Sequence, residues 1–573
     1  MSKSTITGLS AGVLTAAAVS VLASLTAEGH NNGKKDITEK PNIIFFLVDD
    51  MGWQDTSVQL HSERTLLNDR YNTPGMEYLA ENGITFTNAY SAPICSPTRT
   101  SIMTGMNPAR HNVTNWTFFE GKYQDLPNPE FRMPEWNNRG IQPGESLTLA
   151  EGMKLAGYKT IHAGKAHWGA HDTPGENPLN LGFDINIAGH ATGAPGSYYG
   201  TDNFGNNPDG TPAIPWGVPG LNKYHGQDVN LTDVITAEAI KEINKAAAEN
   251  QPFYLYMAHY AVHTPIMPHK DYVDKYLEAG LDTTEAAYAS LVESVDNSLV
   301  QLIEALKANG TAENTIILFG SDNGGLSKFQ RGKSPYGGKD THNYPLREGK
   351  GSAYEGGTRV PLIVAPALRT GSNFKSIAAA EINDTPVICE DYYPTILELA
   401  GFANHKKVTQ KVDGISFVEL LDAKEKSQRF EARPLIFHTP NQWTHWTRKH
   451  DGYRPHSSVR LGDWKAIYFY NTRKWEGLDH IFGQVLRAVE RHPHRDWPGS
   501  RRERRSQKGG RTYDQRQWEL YNLKDDISES VDLSEEKREK LHQMQQILIS
   551  ELEKMNAQFM IRKRTGKIEY IKN

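Results

Sequence analysis

Three pairs of polar residues and one lone histidine stand just past strand-like runs in this chain. Asp49 and Asp50 follow residues 42–48, Lys165 and His167 follow 158–162, His263 follows 253–257, and Asp322 with Asn323 follows 315–319. The runs at 42–48, 253–257 and 315–319 have the length and composition of buried strands, and 158–162 reads as the next strand after a helix. In an open α/β sheet the ends of parallel strands gather on one edge, where ligands bind. Asp49, Asp50, Asp322 and Asn323 are hard oxygen donors, suited to Ca²⁺ or Mg²⁺ rather than to a soft metal. Singly, an Asp-Asp or Asp-Asn-Gly-Gly is an ordinary strand-end turn, and a lone histidine or lysine an ordinary packing or solvated residue. Their common position past strand ends is what makes a site. Cys95 lies in Cys95-Ser96-Pro97-Thr98-Arg99, with Arg99 one helical turn further on. A cysteine by itself is more often a packed core residue than a nucleophile.

Cys95, Pro97 and Arg99 resemble the C-x-P-x-R signature of type I sulfatases, in which the cysteine is oxidised after synthesis to formylglycine. Asp49-Asp50, Gly164-Lys165-Ala166-His167, His263-Thr264-Pro265, Asp322-Asn323 and Lys350 follow in that family's order. The resemblance covers most of residues 41–535. It implies an alkaline phosphatase-like fold and one Ca²⁺ held by Asp49, Asp50, Asp322 and Asn323, with the oxygen of residue 95 close to it. It further implies that Arg99 holds the formylglycine, that Lys165 and Lys350 clamp the sulfate oxygens, and that His167 is the base that frees sulfate. His263, assisted by Lys350, would stand at the leaving oxygen. A formylglycine-generating maturation enzyme is the implied partner. Two positions depart from the family's habit: Ile266 follows Pro265 where a second histidine is frequent, and Ala166 stands where tryptophan is common. Both read as changes of specificity.

The elements that must carry these residues alternate. Helices are expected at 73–82, from Ser146 to Ala156, at 232–248 and through the apolar spacing of 291–306, with a further apolar strand at 360–364. Strands alternating with helices predict an α/β fold, a large, mainly parallel mixed sheet flanked by helices. The pattern changes near Arg433. Runs at 435–438, 458–461, 464–469 and 518–523, then a charged amphipathic helix at 534–559, predict a smaller C-terminal α+β part with an antiparallel sheet. The expected divisions are thus 41–432 for the catalytic domain and 433–573 for the C-terminal subdomain. Residues 169–227, rich in Gly, Pro and Asn, read as a long functional loop region.

At 573 residues the chain is long enough for a large core, and 23% charged with 38% hydrophobic residues fits a globular protein. A net charge of −5 gives no argument for nucleic acid or membrane partners. Two cysteines, Cys95 and Cys389, exclude a disulfide framework. Lys3 before the small and apolar stretch 9–25 reads as an export signal over residues 1–27, too rich in Ser, Thr and Gly for a good membrane span. The expected location is therefore secreted or periplasmic, without stable membrane insertion.

Three stretches are candidates to face a sugar: Trp116-Thr117-Phe118-Phe119, Ser197-Tyr198-Tyr199, and Trp443, His445, Trp446 and Arg448. The eight arginines between Arg487 and Arg511 read as a solvated loop, with guidance of an anionic polymer as the sharper alternative. The expected activity is hydrolysis of sulfate esters, on a sulfated saccharide or polysaccharide fragment. Two rivals remain: a metal-dependent phosphate or phosphonate hydrolase of the same superfamily, and an inactive protein that binds sulfated glycans.

Overall fold

In the computed structural model, residues 40–123, 131–327, 331, 342–422, 427–443, 451–470 and 517–571 are described. The expected export signal, His445, Trp446, Arg448 and the 487–511 stretch lie outside them. The strand Asn42–Val48 is the axis of the fold, and all seven of its residues are buried. It pairs in parallel with Phe253–Ala258 on one side and Thr315–Ser321 on the other. Such an apolar strand has a low-energy place only in the middle of a sheet covered on both faces. One core packs Ile44, Phe46 and Val48 against the helices Leu231–Ala248 and Thr283–Ala308; another packs Ile43, Phe45 and Leu47 against Tyr392–Leu399.

Outward from the axis, Lys159–Gly164 lies parallel beside Phe253–Ala258, and Ile185–Ile187 beside that. On the other side Arg359–Pro366 runs antiparallel to Thr315–Ser321, and Ile84–Tyr90 antiparallel to it in turn. Glu381–Asn383 and Val387–Ile388 complete a nine-stranded sheet. The fold is the expected mainly parallel mixed α/β sheet. Because Ile84–Tyr90 points the same way as the axis, its exit toward Cys95 reaches the edge that also holds Asp49, Lys165, His263 and Asp322.

The antiparallel strands Leu435–Thr439, His456–Leu461, Trp464–Phe469 and Trp518–Asn522 form a second sheet, covered by the helix Arg538–Lys554. Near the chain's end, Ile561–Arg562 pairs with Phe131–Arg132, so the last residues return to the first part of the chain. Residues from Pro41 on form one compact unit. Among the described residues no helix is long and apolar enough to cross a membrane.

Some boundaries differ from the expectation, each for a local reason. The helix expected from Ser146 starts after Thr148: Thr148 Oγ1 accepts the Glu151 N–H at 3.1 Å while a Glu151 carboxylate oxygen accepts the Thr148 N–H at 2.9 Å. That reciprocal cap outcompetes a lone serine two residues earlier. The 291–306 helix begins two turns sooner, because the Asp282 carboxylate accepts the N–H groups of Thr284 and Glu285. The long loop holds short 3-10 turns and the edge strand Ile185–Ile187.

Candidate active site

The helix Cys95–Thr104 brings the nucleophile candidate to the sheet edge, and all ten of its residues are buried. Pro97 fits its first turn because the N–H it lacks has no partner there anyway. Gly105, at φ +70°, closes the helix with its N–H on the Ser101 carbonyl at 2.8 Å. A buried helix of Cys, Ser, Thr and Arg is stable only if its polar groups find partners. Arg99, fully buried, donates through Nε to Asp322 Oδ2 at 2.8 Å and through Nη1 to the Lys165 carbonyl at 2.9 Å. Its Nη2 lies 3.7 Å from Asp49 Oδ1.

Around this arginine the strand-end residues meet. Lys165 Nζ donates to Asp49 Oδ2 at 2.7 Å, and Lys350 Nζ lies 2.5 Å from Asp50 Oδ1. Asn323 Nδ2 donates to the same Asp50 oxygen at 2.8 Å, and the Asp50 N–H donates to Asp322 Oδ1 at 3.1 Å. His263 Nε2 stands 3.6 Å from Asp50 Oδ2. Asp49, Asp50, Lys165, Asp322 and Asn323 are wholly shielded from solvent, and Lys350 nearly so. Three carboxylates against Arg99, Lys165 and Lys350 leave the cluster neutral by itself.

Three oxygens in it have no hydrogen-bond partner among the described residues: Asp49 Oδ1, Asp50 Oδ2 and Asn323 Oδ1. Buried oxygens without donors are costly unless a cation takes their lone pairs. An all-oxygen donor set of this kind fits a hard divalent ion. Such an ion would also turn the neutral cluster positive, the sign an anionic ester requires.

Burial drives the Asp49 carboxyl well above its ordinary range, against the pull of Lys165. At Asp50 burial pushes the same way, but Lys350, with His263 and Lys165, outweighs it and holds the carboxyl low. Burial and then Lys165 keep His167 well below the usual imidazole value, while burial and Lys350 bring His263 down to about 3. Both rings are therefore neutral at neutral pH. Burial also raises the Cys95 thiol, despite Lys165 and Lys350 nearby. That is the reverse of the low-pKa setting of cysteines that attack as thiolates.

His167 reaches the Cys95 helix through Ser96. Its Nε2 is 3.0 Å from the Thr117 carbonyl, which can only accept, so Nε2 carries the proton and Nδ1 keeps a lone pair 3.3 Å from Ser96 Oγ. Ser96 Oγ in turn accepts the Thr117 N–H at 3.0 Å. Ser96 lies inside the cysteine motif and Thr117 inside the aromatic stretch after it, but nothing in the sequence alone marks either as a partner of His167. Gly193 belongs with them, since a Cβ there would come within 2.6 Å of the His167 ring.

Of the aromatics expected to face a sugar, Trp443 and Trp116 pack beside Cys95, with Tyr453 stacked on Trp443 at 6.2 Å. Gly351, at φ +85°, makes this possible: a Cβ there would lie 2.0 Å from the Trp443 ring. Tyr198 and Tyr199 do not face a substrate. Tyr198 is fully buried, its hydroxyl 2.8 Å from the carbonyls of both Tyr260 and His263, and Tyr199 donates to the Pro268 carbonyl. They are posts under the His263 loop, where a buried phenol needs an acceptor.

A nine-stranded mixed sheet with its site past the parallel strand ends is an alkaline phosphatase-like hydrolase architecture. Comparison with known proteins agrees. The Sulfatase family model matches residues 41–402. A sulfatase from Formosa agariphila is 31% identical over 453 residues, 71% of this chain and 76% of that one. The N-acetylgalactosamine-6-sulfatase of Mus musculus is 29% identical over 468 residues, 79% of this chain and 78% of its own length. Among solved structures, that of Ps i-CgsB matches with a TM-score of 0.63 at 25% identity, covering 90% of this chain and 93% of that one. The chain belongs to the sulfatase family and is a sulfuric ester hydrolase.

Proposed function

We propose that this sulfatase removes sulfate from a sulfated saccharide, using a formylglycine made from Cys95 and one Ca²⁺ held by Asp49, Asp50, Asp322 and Asn323. The observation that carries the reading is that Cys95 feels the charges of Lys165, Lys350, Asp49 and Asp322 in a buried cluster that also holds Arg99 and three oxygens without a partner among the described residues. Hydrated formylglycine supplies one hydroxyl to attack sulfur and a second whose deprotonation expels sulfate; Ca²⁺ supplies positive charge beside it. Arg99 keeps Asp322 and the Lys165 backbone fixed. Lys165 and Lys350 put their ammonium groups where charge develops on the sulfate oxygens. His167 Nδ1 is the atom that takes the proton from residue 95. His263 already has Nδ1 2.8 Å from the Thr264 carbonyl, so its Nε2 donates to a leaving oxygen only when the ring gains a second proton. An anionic ester beside the ring favours that proton.

Because Cys95 is buried in the folded chain, a maturation enzyme would act on it before folding. The saccharide assignment draws on the name of the Mus musculus relative and on Trp116 and Trp443 beside Cys95, rings suited to stacking on sugars. Ile266 and Ala166, which is buried beside Lys165, are the positions at which specificity would differ from relatives. Secretion or export to a periplasm completes the proposal, since sulfated polymers occur outside cells.

A panel of defined sulfated mono- and oligosaccharides, aryl and steroid sulfates, and matched phosphate esters tests the reading. Sulfated saccharides are turned over best, and phosphate esters poorly. Hydrolysis restricted to aryl or steroid sulfates would refute the saccharide assignment, and preference for phosphate would refute the reading of the site.

Asp322→Ala removes the carboxylate that ties the ion's place to Arg99. Calcium content and kcat/KM fall together, the activity by on the order of 10²-fold or more. Elemental analysis of the unaltered protein showing neither calcium nor magnesium would contradict the metal assignment.

A further inference from the structure

Among the described residues, one group of side chains outside the Asp49 cluster has the composition of a metal site. His171, Glu176 and His190 offer two imidazoles and a carboxylate whose ligand atoms all lie within 4.8 Å of one another. His171 follows the turn after His167, Glu176 ends the short helical turn Pro174–Glu176, and His190 follows the edge strand Ile185–Ile187. His190 Nε2 and Glu176 Oε2 are 3.5 Å apart. Bonds of about 2.0–2.1 Å to a tetrahedral ion set ligand–ligand edges of about 3.3–3.4 Å, so this pair is already spaced to share one.

His171 is 1% exposed, and neither of its ring nitrogens has a hydrogen-bond partner among the described residues. The Pro215 carbonyl acts on the ring without making a hydrogen bond to either nitrogen. A buried imidazole with both nitrogens idle forfeits the hydration it had in the unfolded chain. A metal bond would satisfy one of them. The Glu176 carboxylate is oriented by the Asp172 N–H, which donates to its Oε2 at 2.9 Å, the kind of outer support that metal-binding carboxylates have.

We propose that His171, His190 and Glu176 bind a transition-metal ion of the Zn²⁺ class, separate from the oxygen cluster of the active site. Two nitrogens and one oxygen suit zinc, whereas an oxygen-only set suits calcium. His190 and Glu176 are partly exposed, which leaves the fourth position to water. A simple His–Glu ion pair is the competing explanation of the 3.5 Å contact. An ion pair would engage only His190 and Glu176, and would leave the buried His171 ring beside them unexplained.

The ion would fasten both backbone supports of His167. The His190 carbonyl accepts the His167 N–H at 3.1 Å, and the His171 N–H donates to the Phe118 carbonyl at 2.7 Å, next to the Thr117 carbonyl that faces the His167 ring. The site is thus a staple for the catalytic loop rather than a reacting centre.

The test uses the tag-free full-length enzyme in calcium-containing buffer, titrated with Co²⁺ and then Zn²⁺. One equivalent of Co²⁺ should give the intense visible absorption of tetrahedral coordination, be displaced by Zn²⁺, and be bound about 100-fold or more weakly by H190Q and E176Q. Zn²⁺ should raise the melting temperature of the unaltered enzyme but not of H190Q. Calcium content and circular dichroism should be the same in all three, which separates this site from the active-site ion. Wild-type Co²⁺ affinity and spectrum in folded H190Q and E176Q would overturn the proposal. So would the absence of a tetrahedral spectrum in the unaltered enzyme. Should H190Q misfold, E176Q alone decides.

Discussion

Replacing Cys95 with alanine should lower turnover of a sulfate ester by on the order of 10⁴–10⁶, the range seen when a nucleophile is removed from an intact site. Binding should change little. Lys165, Lys350 and the start of the Cys95–Thr104 helix remain in place, and alanine fits where a small buried side chain stood. Isothermal titration with a slowly hydrolysed substrate, beside single-turnover kinetics, separates the two effects. Activity within tenfold of the unaltered enzyme would mean that some other group attacks sulfur. The burial that keeps the thiol protonated makes the same point from the other side: an unmodified Cys95 is poorly placed to act as a thiolate.

The largest effect on stability should come from Lys465→Met. Lys465 is 1% exposed and stands 2.9 Å from carboxylate oxygens of both Glu355 and Glu529, the first carried by the main sheet's surroundings and the last by the loop after Trp518–Asn522. Tyr90 donates to Glu355 at 2.6 Å, and the Glu355 N–H donates to Glu529 at 2.6 Å. Removing one partner from a buried charge network leaves the others uncompensated, at a cost of about 3–5 kcal/mol. The pH dependence identifies the cause. Burial, then Glu355, raises Glu529 to about 7 against Lys465, so the folded state binds a proton there more tightly than the unfolded chain does. The stability from this group is complete below the unfolded carboxyl value and is lost as pH rises through about 7. Without the lysine, Glu355 loses the strongest of the charges that hold it to about 2, and both carboxyls favour the protonated state. The variant's deficit in urea denaturation should therefore be larger at pH 8 than at pH 5. A deficit independent of pH, or below about 1 kcal/mol, would show that the network contributes little.

How much of this was legible in the sequence depended on the range of the interaction. The strands Asn42–Val48, Phe253–Ala258 and Thr315–Ser321 are continuous apolar runs, and the polar residues that follow them had nowhere to go but the sheet edge. Arg99 was legible as a neighbour of Cys95 because one helical turn separates them. Ile84–Tyr90 was missed: Thr85, Thr87 and Asn88 break the apolar run of a strand that lies near the sheet's rim. Ile185–Ile187 is three residues long inside a stretch of Gly, Pro and Asn, and forms only because Lys159–Gly164 offers it a free edge. Composition cannot tell a ring that stacks on ligand from one whose hydroxyl supports a loop, so Tyr198 looks like a sugar platform in the sequence and is a post in the fold. Ser96 and Thr117, and the Lys465–Glu355–Glu529 network, depend on contacts between distant segments, and no local pattern encodes those.

The measurement closest to the centre of this account is the mass of the peptide that contains Cys95, taken from the active enzyme. It should show sulfur exchanged for oxygen with loss of two hydrogens, in a fraction that tracks specific activity from one preparation to the next. Full activity in protein whose Cys95 peptide carries only the unaltered thiol would contradict it.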